Sequence, residues 1–350
     1  MTRRNTKSIK VGKIGIGSEY PVSIQSMLNT KNSDVKGAIE QTFALCEAGC
    51  DIVRLAVTDK GSLAVIRALK KEIDIPLVAD IQFDYKMAIA SIESGIDKVR
   101  LNPGNIGSEK RVKEVIAAAK DRGIPIRVGV NTGSVSLDIA KKYGRYSAEG
   151  LVYEATRHIE ILENNNFDDI AISLKASDVN TMIKAYRLMA QKCDYPLHLG
   201  VTEAGPAYTG TIKSAIGIGA LLAEGIGDTI RVSLTDKPVE EIRAAKEILK
   251  ALDLREGGPK LISCPTCSRC SINLIEIAKE VEKRLSILDK DVTVAVMGCV
   301  VNGPGEASNA DIGITGANGE GLIFKDGKVI KKVPEENIVN ELFEEIEKLF

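Results

Sequence analysis

The side chains best equipped for chemistry in this chain are cysteines. Of seven, Cys46, Cys50 and Cys193 are scattered, while Cys264, Cys267, Cys270 and Cys299 gather towards the C-terminal end. The run Cys264-Pro-Thr-Cys267-Ser-Arg-Cys270 sets a thiol at every third residue, and Cys299 returns from a distant loop. Thiolates at that spacing can converge on one metal or cluster, because the turn between them also offers backbone N–H groups to sulfur. Iron–sulfur and zinc both suit such a set. A redox-active thiol pair or buried structural cysteines are the competing readings. An odd count in a chain too long to need disulfides also points to a reducing compartment and to ligand chemistry. Glu306 follows Cys299 across the tight loop Gly303-Pro304-Gly305. It is either an exchangeable oxygen ligand or an exposed loop acid. Cys46, Cys50 and Cys193 read as ordinary packing residues.

A second signal is positive charge inside apolar strands. Arg54, Arg100, Arg127 and Arg231 each sit among aliphatic neighbours. Side chains alternate faces along a strand, so polar residues two apart share a face. Lys98, Arg100 and Asn102 align in this way, as do Arg127, Gly129 and Asn131. Ser173 pairs with Lys175, His198 with Gly200 and Thr202, and Arg231 with Ser233. Burying unpaired charge is very costly. Asp80 and Glu203 are expected to offset two of these cations, which leaves excess positive charge for a bound anion. The planar fork of arginine suits phosphate oxygens, so the natural ligand is a phosphorylated, polyanionic molecule. An internal ion-pair network is the plainer alternative. His198 reads equally well as a buried core donor, and His158, on a helix, reads as solvated.

The elements that must hold these residues repeat. Aliphatic runs at 22–27, 52–57, 77–81, 98–102, 126–130, 170–175, 197–201 and 229–234 alternate with eight segments of helical periodicity. Their starts lie about 30 residues apart, the length of one βα unit. Near-continuous apolar strands suit a parallel sheet covered by helices. Three helix-to-strand joints look alike, at 47–55, 93–101 and 224–232, each with Gly then Asp before the strand. Such repetition predicts an α/β fold, a closed (β/α)8 TIM barrel, with an open doubly wound sheet as the alternative. No Gly-x-Gly-x-x-Gly opens a helix after the first strand, which weakens a dinucleotide site. The polar stripes then point into the lumen near the strand C-termini, where barrel enzymes keep their active sites. Residues before 22 are expected to form a hairpin that plugs the barrel bottom. After residue 255 a turn-rich stretch, the cysteine run, and a helix near 272–286 follow. Strands at 292–297 and 311–315, a hairpin over 321–333 turning at Asp326-Gly327, and a helix over 335–349 complete the chain. The expected domains are 1–255, a substrate-binding barrel with its N-terminal hairpin, and 256–350, a small α+β iron–sulfur domain.

Taken together, PVSIQSMLNT, VRLNPGN (99–105), IRVGVNTGS (126–134), LHLGVTEAG (197–205), SCPTCSR (263–269) and GCVVNGPGEA (298–307) resemble the 4-hydroxy-3-methylbut-2-enyl diphosphate synthase family. The likeness is to its bacterial two-domain form and covers nearly the whole chain. It implies reductive ring opening and dehydroxylation of 2-C-methyl-D-erythritol 2,4-cyclodiphosphate in isoprenoid precursor biosynthesis. Two electrons arrive singly from flavodoxin or ferredoxin through a [4Fe–4S] cluster. The family's ligands map onto Cys264, Cys267, Cys299 and Glu306, so the resemblance shifts Glu306 towards a ligand and catalytic role. Its diphosphate contacts map onto Arg54, Arg100, Arg127, Asn131, Lys175, Arg231 and Ser233. Asp80, His198 and Glu203 fall nearer the carbon skeleton, with Glu203 the candidate for proton handling. The family's head-to-tail homodimer, in which each cluster domain caps the partner's barrel, is expected here. Cys270 departs from the family pattern; it is either a competing fourth thiolate or a bystander, and the helix expected near 271 favours the bystander.

Composition narrows the classes further. Lys plus Arg number 47 against 48 Asp plus Glu, a formal charge of −1, which argues against a nucleic-acid binder that must displace counterions. Aromatics are only 4%, with no Trp, so base-stacking platforms and membrane belts are not expected. The N-terminus lacks the apolar stretch of a signal peptide, and no apolar run reaches membrane-spanning length. A soluble, cytoplasmic protein is expected. Two rivals remain at this level: a phosphate sensor bearing a zinc ribbon, and a barrel aldolase or lyase with a structural metal domain.

Overall fold

A computed structural model describes residues 2–255, 257–288, 290–300, 310–317 and 320–350. Contacts divide the chain into two compact units, Met1–Arg255 and Glu256–Phe350.

The first unit is a parallel barrel of eight strands. They are β3 (Ser23–Met27), β4 (Ile52–Ala56), β5 (Leu77–Asp80), β6 (Lys98–Arg100), β7 (Ile126–Asn131), β8 (Ile170–Lys175), β9 (His198–Leu199) and β10 (Thr229–Ile230). They order as β8-β7-β6-β5-β4-β3-β10-β9, and a single parallel bridge between Ile172 and Leu197 closes the ring. The outer layer comprises α1 (Val35–Glu47), α2 (Lys60–Glu72), α3 (Tyr85–Glu93), α4 (Glu109–Arg122), α5 (Leu137–Tyr143), α6 (Ala148–Glu163), α7 (Val179–Lys192), α8 (Ala207–Ala223) and α9 (Pro238–Ala251). The extra helix beyond the eight expected is α5. At seven residues it is too short to show a helical period, and it lengthens the β7–α6 connection at the mouth.

Local chemistry sets the joints. Asp34, Asp59, Ser147 and Asp178 each accept a backbone N–H in the first turn of the helix that follows, satisfying a donor that has no intrahelical partner. The three look-alike joints share a further device. Gly49, Gly95 and Gly225 take positive φ after the helix, and the Asp beyond each ties down a neighbouring strand. Asp51 accepts Ile24 N–H at 2.7 Å, Asp97 accepts Leu77 N–H at 2.8 Å, and Asp228 accepts Leu197 N–H at 2.8 Å. The repeat is thus a set of carboxylate clamps around the barrel floor. Asp228 additionally holds Arg3 and Thr6 of the N-terminal arm.

The floor itself is plugged. β1 (Ile9–Val11) and β2 (Ile14–Ile16) form the expected antiparallel hairpin. Ile9, Val11 and Ile16 pack into one buried cluster with Ile52, Val78 and Ala171, the lowest inward residues of three strands. Above them the lumen turns polar, through Gln25, Lys98, Arg127, His198 and Thr229, all buried.

The second unit is a five-stranded mixed sheet, ordered β11 (Lys260–Ser263), β12 (Thr293–Met297), β13 (Ile312–Ala317), β14 (Glu320–Lys325) and β15 (Lys328–Pro334). β11, β12 and β13 run parallel, and the last two pairings are antiparallel. Its main core joins Val294, Val296, Ile312 and Ile314 to helix α10 (Leu274–Leu285) and to the C-terminal helix Ile338–Glu347. Asp326 and Gly327 have φ of 49° and 72°, both positive as a type I′ turn demands. β11 was not expected, because the residues before Cys264 are few and half-exposed. Helix α10 begins at Leu274 rather than near 271, leaving Cys270 in a turn.

Replacing Asp228 with Ala leaves the Arg3 guanidinium and the Leu197 N–H without their shared partner. Loss of a buried pair of this kind is expected to lower unfolding free energy by about 3 kcal/mol. Denaturant titration of the two proteins measures the difference.

Candidate functional site

The period-two stripes do face the barrel lumen. At the C-terminal mouth Arg54, Asp80, Arg100, Arg127, Asn131, Lys175, Arg231 and Ser233 line a cavity of about 170 Å³, together with Gln82, Ser173 and Thr202. Register explains the gathering: Asp80 pairs with Arg100, Arg100 with Arg127, and Asn131 with Lys175 across adjacent strands. His198 lies beneath this cavity, buried, with Nδ1 2.8 Å from Thr229 Oγ1 and no partner at Nε2. Glu203 is exposed on the β9–α8 connection, with its backbone in the left-handed region at φ 53°. A non-glycine residue there is uncommon and is a form of strain often met at functional sites.

Charge in the mouth is incompletely compensated. Asp80 Oδ2 stands 3.0 Å from Arg54 Nη2, and its Oδ1 stands 3.2 Å from Arg100 Nη1. One carboxylate therefore orients two guanidinium forks. Arg100 also donates to Gly129 O. Glu241 of α9, not Glu203, provides the second compensation, at 3.3 Å from Arg231. Glu203 forms no ion pair with these cations among the described residues. Arg127 and Lys175 likewise have no acidic partner there, and Arg127 Nε and Nη1 and Arg54 Nε are buried without any hydrogen-bond partner.

The titration behaviour follows from this imbalance. Burial pushes the Arg127 guanidinium well below its usual range, and Arg54 and Arg100 push it further. Burial acts the same way on Lys175, reinforced by Arg231, Arg54 and Arg127, and on Lys98, reinforced by Arg127 and Arg54. Arg54 falls to about 10, mainly through burial, despite Asp80. His198 is driven well below the normal histidine range by burial and by Arg127, Lys175 and Lys98. Burial alone would raise Asp80, but Arg54, Arg100 and Arg127 outweigh it and hold the carboxyl low. The mouth gathers cations that destabilise one another's charge, an arrangement chemically suited to receiving an anion.

Two residues escaped the sequence reading and a third was misread. Gln82 lies two positions beyond Asp80, so the same alternation rule would have found it. Glu241 carried a signal too: it sits on the buried stripe of α9 with Pro238, Ile242 and Ala245, an odd place for a carboxylate without a partner. His158, expected to be solvated, is buried, with Nδ1 accepting from Gly104 N–H. Helical periodicity alone does not reveal that the loop after β6 folds over that face.

In the second unit Cys264 follows β11 and Cys299 follows β12, so two adjacent parallel strands deliver thiols at the same end. Gly298 N–H donates to Cys264 Sγ at 3.2 Å. Cys267 is exposed, Cys299 is buried, and Cys270 Sγ donates to Ile272 O at 3.2 Å. All seven cysteines are free thiols. Among the described residues, no three His, Cys, Asp or Glu side chains are drawn together as a ready metal site. Glu306 lies outside the described residues. The donor types nonetheless suit a soft metal cluster: two thiols leave adjacent strands at one end of the sheet, a third follows three residues after Cys264, and Cys264 already accepts an N–H as a ligating thiolate does.

Known proteins match throughout. The GcpE TIM-barrel domain model matches residues 6–246, and the GcpE protein C-terminal domain model matches residues 260–348. A 4-hydroxy-3-methylbut-2-en-1-yl diphosphate synthase (flavodoxin) of Ruminiclostridium cellulolyticum is 58% identical, over 99% of this chain and 98% of that protein. The Geobacter sulfurreducens protein of the same name is 54% identical, over 99% and 98%. Among solved structures, 3-dehydroquinate dehydratase of Geobacillus kaustophilus superposes with a TM-score of 0.52 at 17% identity, covering 71% of this chain and 98% of that one. Yersinia pestis dihydropteroate synthase gives 0.51 at 15% identity, covering 71% and 99%. At such identities these two share the barrel fold alone.

An anion entering this mouth raises the affinity of Lys175 and His198 for protons. Inorganic pyrophosphate is therefore expected to bind with net proton uptake at neutral pH, and Arg127→Ala to weaken it at least about tenfold. Calorimetry in buffers of different ionisation enthalpy reads both effects.

Proposed function

The chain belongs to the GcpE family, and from that premise we propose that it converts 2-C-methyl-D-erythritol 2,4-cyclodiphosphate into (E)-4-hydroxy-3-methylbut-2-enyl diphosphate. The conversion consumes two electrons and two protons and releases water. Flavodoxin is the electron donor indicated by the relatives' names, with ferredoxin the alternative. The observation that carries the reading is the barrel mouth, where Arg127 and Lys175 are buried without an acidic partner among the described residues. A diphosphate offers what those groups lack.

The roles follow from position. Arg54, Arg100, Arg127, Asn131, Lys175, Arg231 and Ser233 bind the diphosphate. Asp80 holds Arg54 and Arg100 in the orientation that presents their free N–H groups. His198, neutral and unpartnered at Nε2, faces the substrate from below as a hydrogen-bonding group. Glu203, on an exposed and strained loop position, handles the proton. Cys264, Cys267 and Cys299 hold a [4Fe–4S] cluster with Glu306 as the fourth ligand. When bound, such a cluster supplies electrons one at a time and an iron with a displaceable oxygen ligand. Cys270, whose thiol is engaged with Ile272 O, is a bystander.

We place the enzyme in the cytoplasm as a head-to-tail homodimer, with the cluster domain of one subunit covering the partner's mouth. No helix among the described residues is long and apolar enough to cross a membrane. Support for a covered mouth comes from the βα connections and first helical turns around it, where Phe83, Leu137, Tyr146 and Tyr208 are 67%, 73%, 69% and 79% exposed. Large apolar groups ringing a polar cavity mark a surface that a second protein covers.

The deciding experiment is electron paramagnetic resonance of anaerobically reconstituted, reduced protein with and without the cyclodiphosphate. A cluster signal that changes with substrate, and persists in Cys270→Ser, is expected. Zinc in place of iron, or a signal indifferent to substrate, overturns the reading. Shared sites are tested by mixing Cys299→Ser with Arg127→Ala subunits. Partial recovery of activity is expected, up to about one quarter of native for random pairing, since one in four sites then joins two intact halves. No recovery in verified heterodimers rejects them.

A further inference from the structure

Outside the barrel wall lies a polar relay that the reaction does not explain. His158 and Glu154, one turn apart on α6, are 3% and 4% exposed. Gly104 N–H donates to His158 Nδ1 at 3.1 Å. A ring nitrogen that accepts has no proton of its own, so the neutral ring carries its hydrogen on Nε2. That nitrogen stands 3.3 Å from Glu154 Oε1. Glu154 Oε2 accepts from Ser136 N–H at 2.9 Å and from Ser136 Oγ at 2.7 Å. Burial alone would raise this carboxyl, but the His158 ring and the two Ser136 donors hold it at about 2.

The ends of the relay belong to two connections at the barrel mouth. Gly104 lies in the turn Pro103–Asn105 after β6, and Ser136 immediately precedes α5 after β7. Beside the turn, buried Asn102 accepts Gly129 N–H of β7 at 2.8 Å. Asn131 ends β7, lines the cavity, and donates its N–H to Ser134 Oγ at 3.0 Å. One helix therefore pins the chain on both sides of the Arg100–Arg127 pair. Gly104 is held against the ring so closely that a Cβ there would stand 2.5 Å from His158 Cε1. For stability alone, apolar side chains of similar volume serve as well as a buried carboxylate and imidazole. What the relay adds is direction, since each hydrogen bond sets one backbone position.

We propose that His158 and Glu154 are positioning residues for the diphosphate site, fixing the connections after β6 and β7 so that Asn131 and its neighbours are preorganised for the substrate. The proposal rests on the reading of the mouth given above.

The test uses the full chain, with calorimetric affinity for the cyclodiphosphate and melting temperature read in parallel. His158→Phe keeps the ring's bulk and removes the acceptor. His158→Asn loses bulk but returns an oxygen near the place of Nδ1. Affinity is expected to fall about tenfold or more in the Phe variant, because small displacements of binding groups are costly. The Asn variant is expected to stay within about threefold of native. Melting temperature should rank the other way, Asn below Phe. Ser136→Ala, at the half-buried end, leaves the core intact and should weaken binding several-fold. Affinities that track melting temperature, or that match native in all three variants, overturn the proposal. If native protein fails to bind the cyclodiphosphate, the functional reading fails instead. Inorganic pyrophosphate then serves as the probe, with the same order of variants expected.

Discussion

Keeping five cations at one end of a barrel, with two carboxylates to share among them, is the constraint around which the rest of the first unit is arranged. Like charges in a low-dielectric lumen repel strongly, and desolvation disfavours each of them separately. The fold tolerates this only because the cost is distributed. Asp80 serves Arg54 and Arg100 together, and Glu241 reaches Arg231 from the outer helix α9. Arg127 and Lys175 have no acidic partner among the described residues, although both line the cavity at the mouth. Rigidity below the mouth makes the arrangement hold. The hairpin plug and the Asp51, Asp97 and Asp228 clamps leave the strands little freedom to relax the repulsion by moving apart.

The second unit solves a different problem with similar economy. Two thiols from distant parts of the sequence leave the sheet at the same end. Parallel pairing of β11 with β12 does this, because both strands then end at the same edge, with Cys264 beyond one and Cys299 beyond the other. The N–H of Gly298 already donates to Cys264 Sγ. A side chain at position 298 would meet Cys270 Sγ at 2.7 Å, so glycine is what lets the two segments approach.

Much of this was legible in advance, and the reasons are specific. Eight aliphatic runs at the spacing of one βα unit imply a parallel sheet buried on both faces, and their unbroken repetition favours the closed barrel over an open sheet. Alternation within those strands placed Arg100, Arg127, Asn131, Lys175, Arg231 and Ser233 on inward faces, and those six line the cavity with Arg54 and Asp80. Glu203, expected to compensate a cation, stays exposed instead, because the strand ends at Leu199 and Glu203 lies four residues beyond it on the following connection. β11 and α5 were invisible because each is too short to carry a period. The solvated reading of His158 failed because burial of a helix face depends on which loop crosses it.

What the amino-acid sequence determined by itself is the set of local and periodic properties: strand and helix order, the inward faces, the thiol spacing and the family motifs. These follow from nearest-neighbour geometry, which residues carry with them wherever the segment lies. Only tertiary structure decided which charges pair. Asp80 bridges two strands, Glu241 reaches in from a helix, and His158 catches a loop two connections away. Such choices depend on distances of a few ångströms between groups far apart in the chain, and Coulomb and hydrogen-bond energies change steeply over that range.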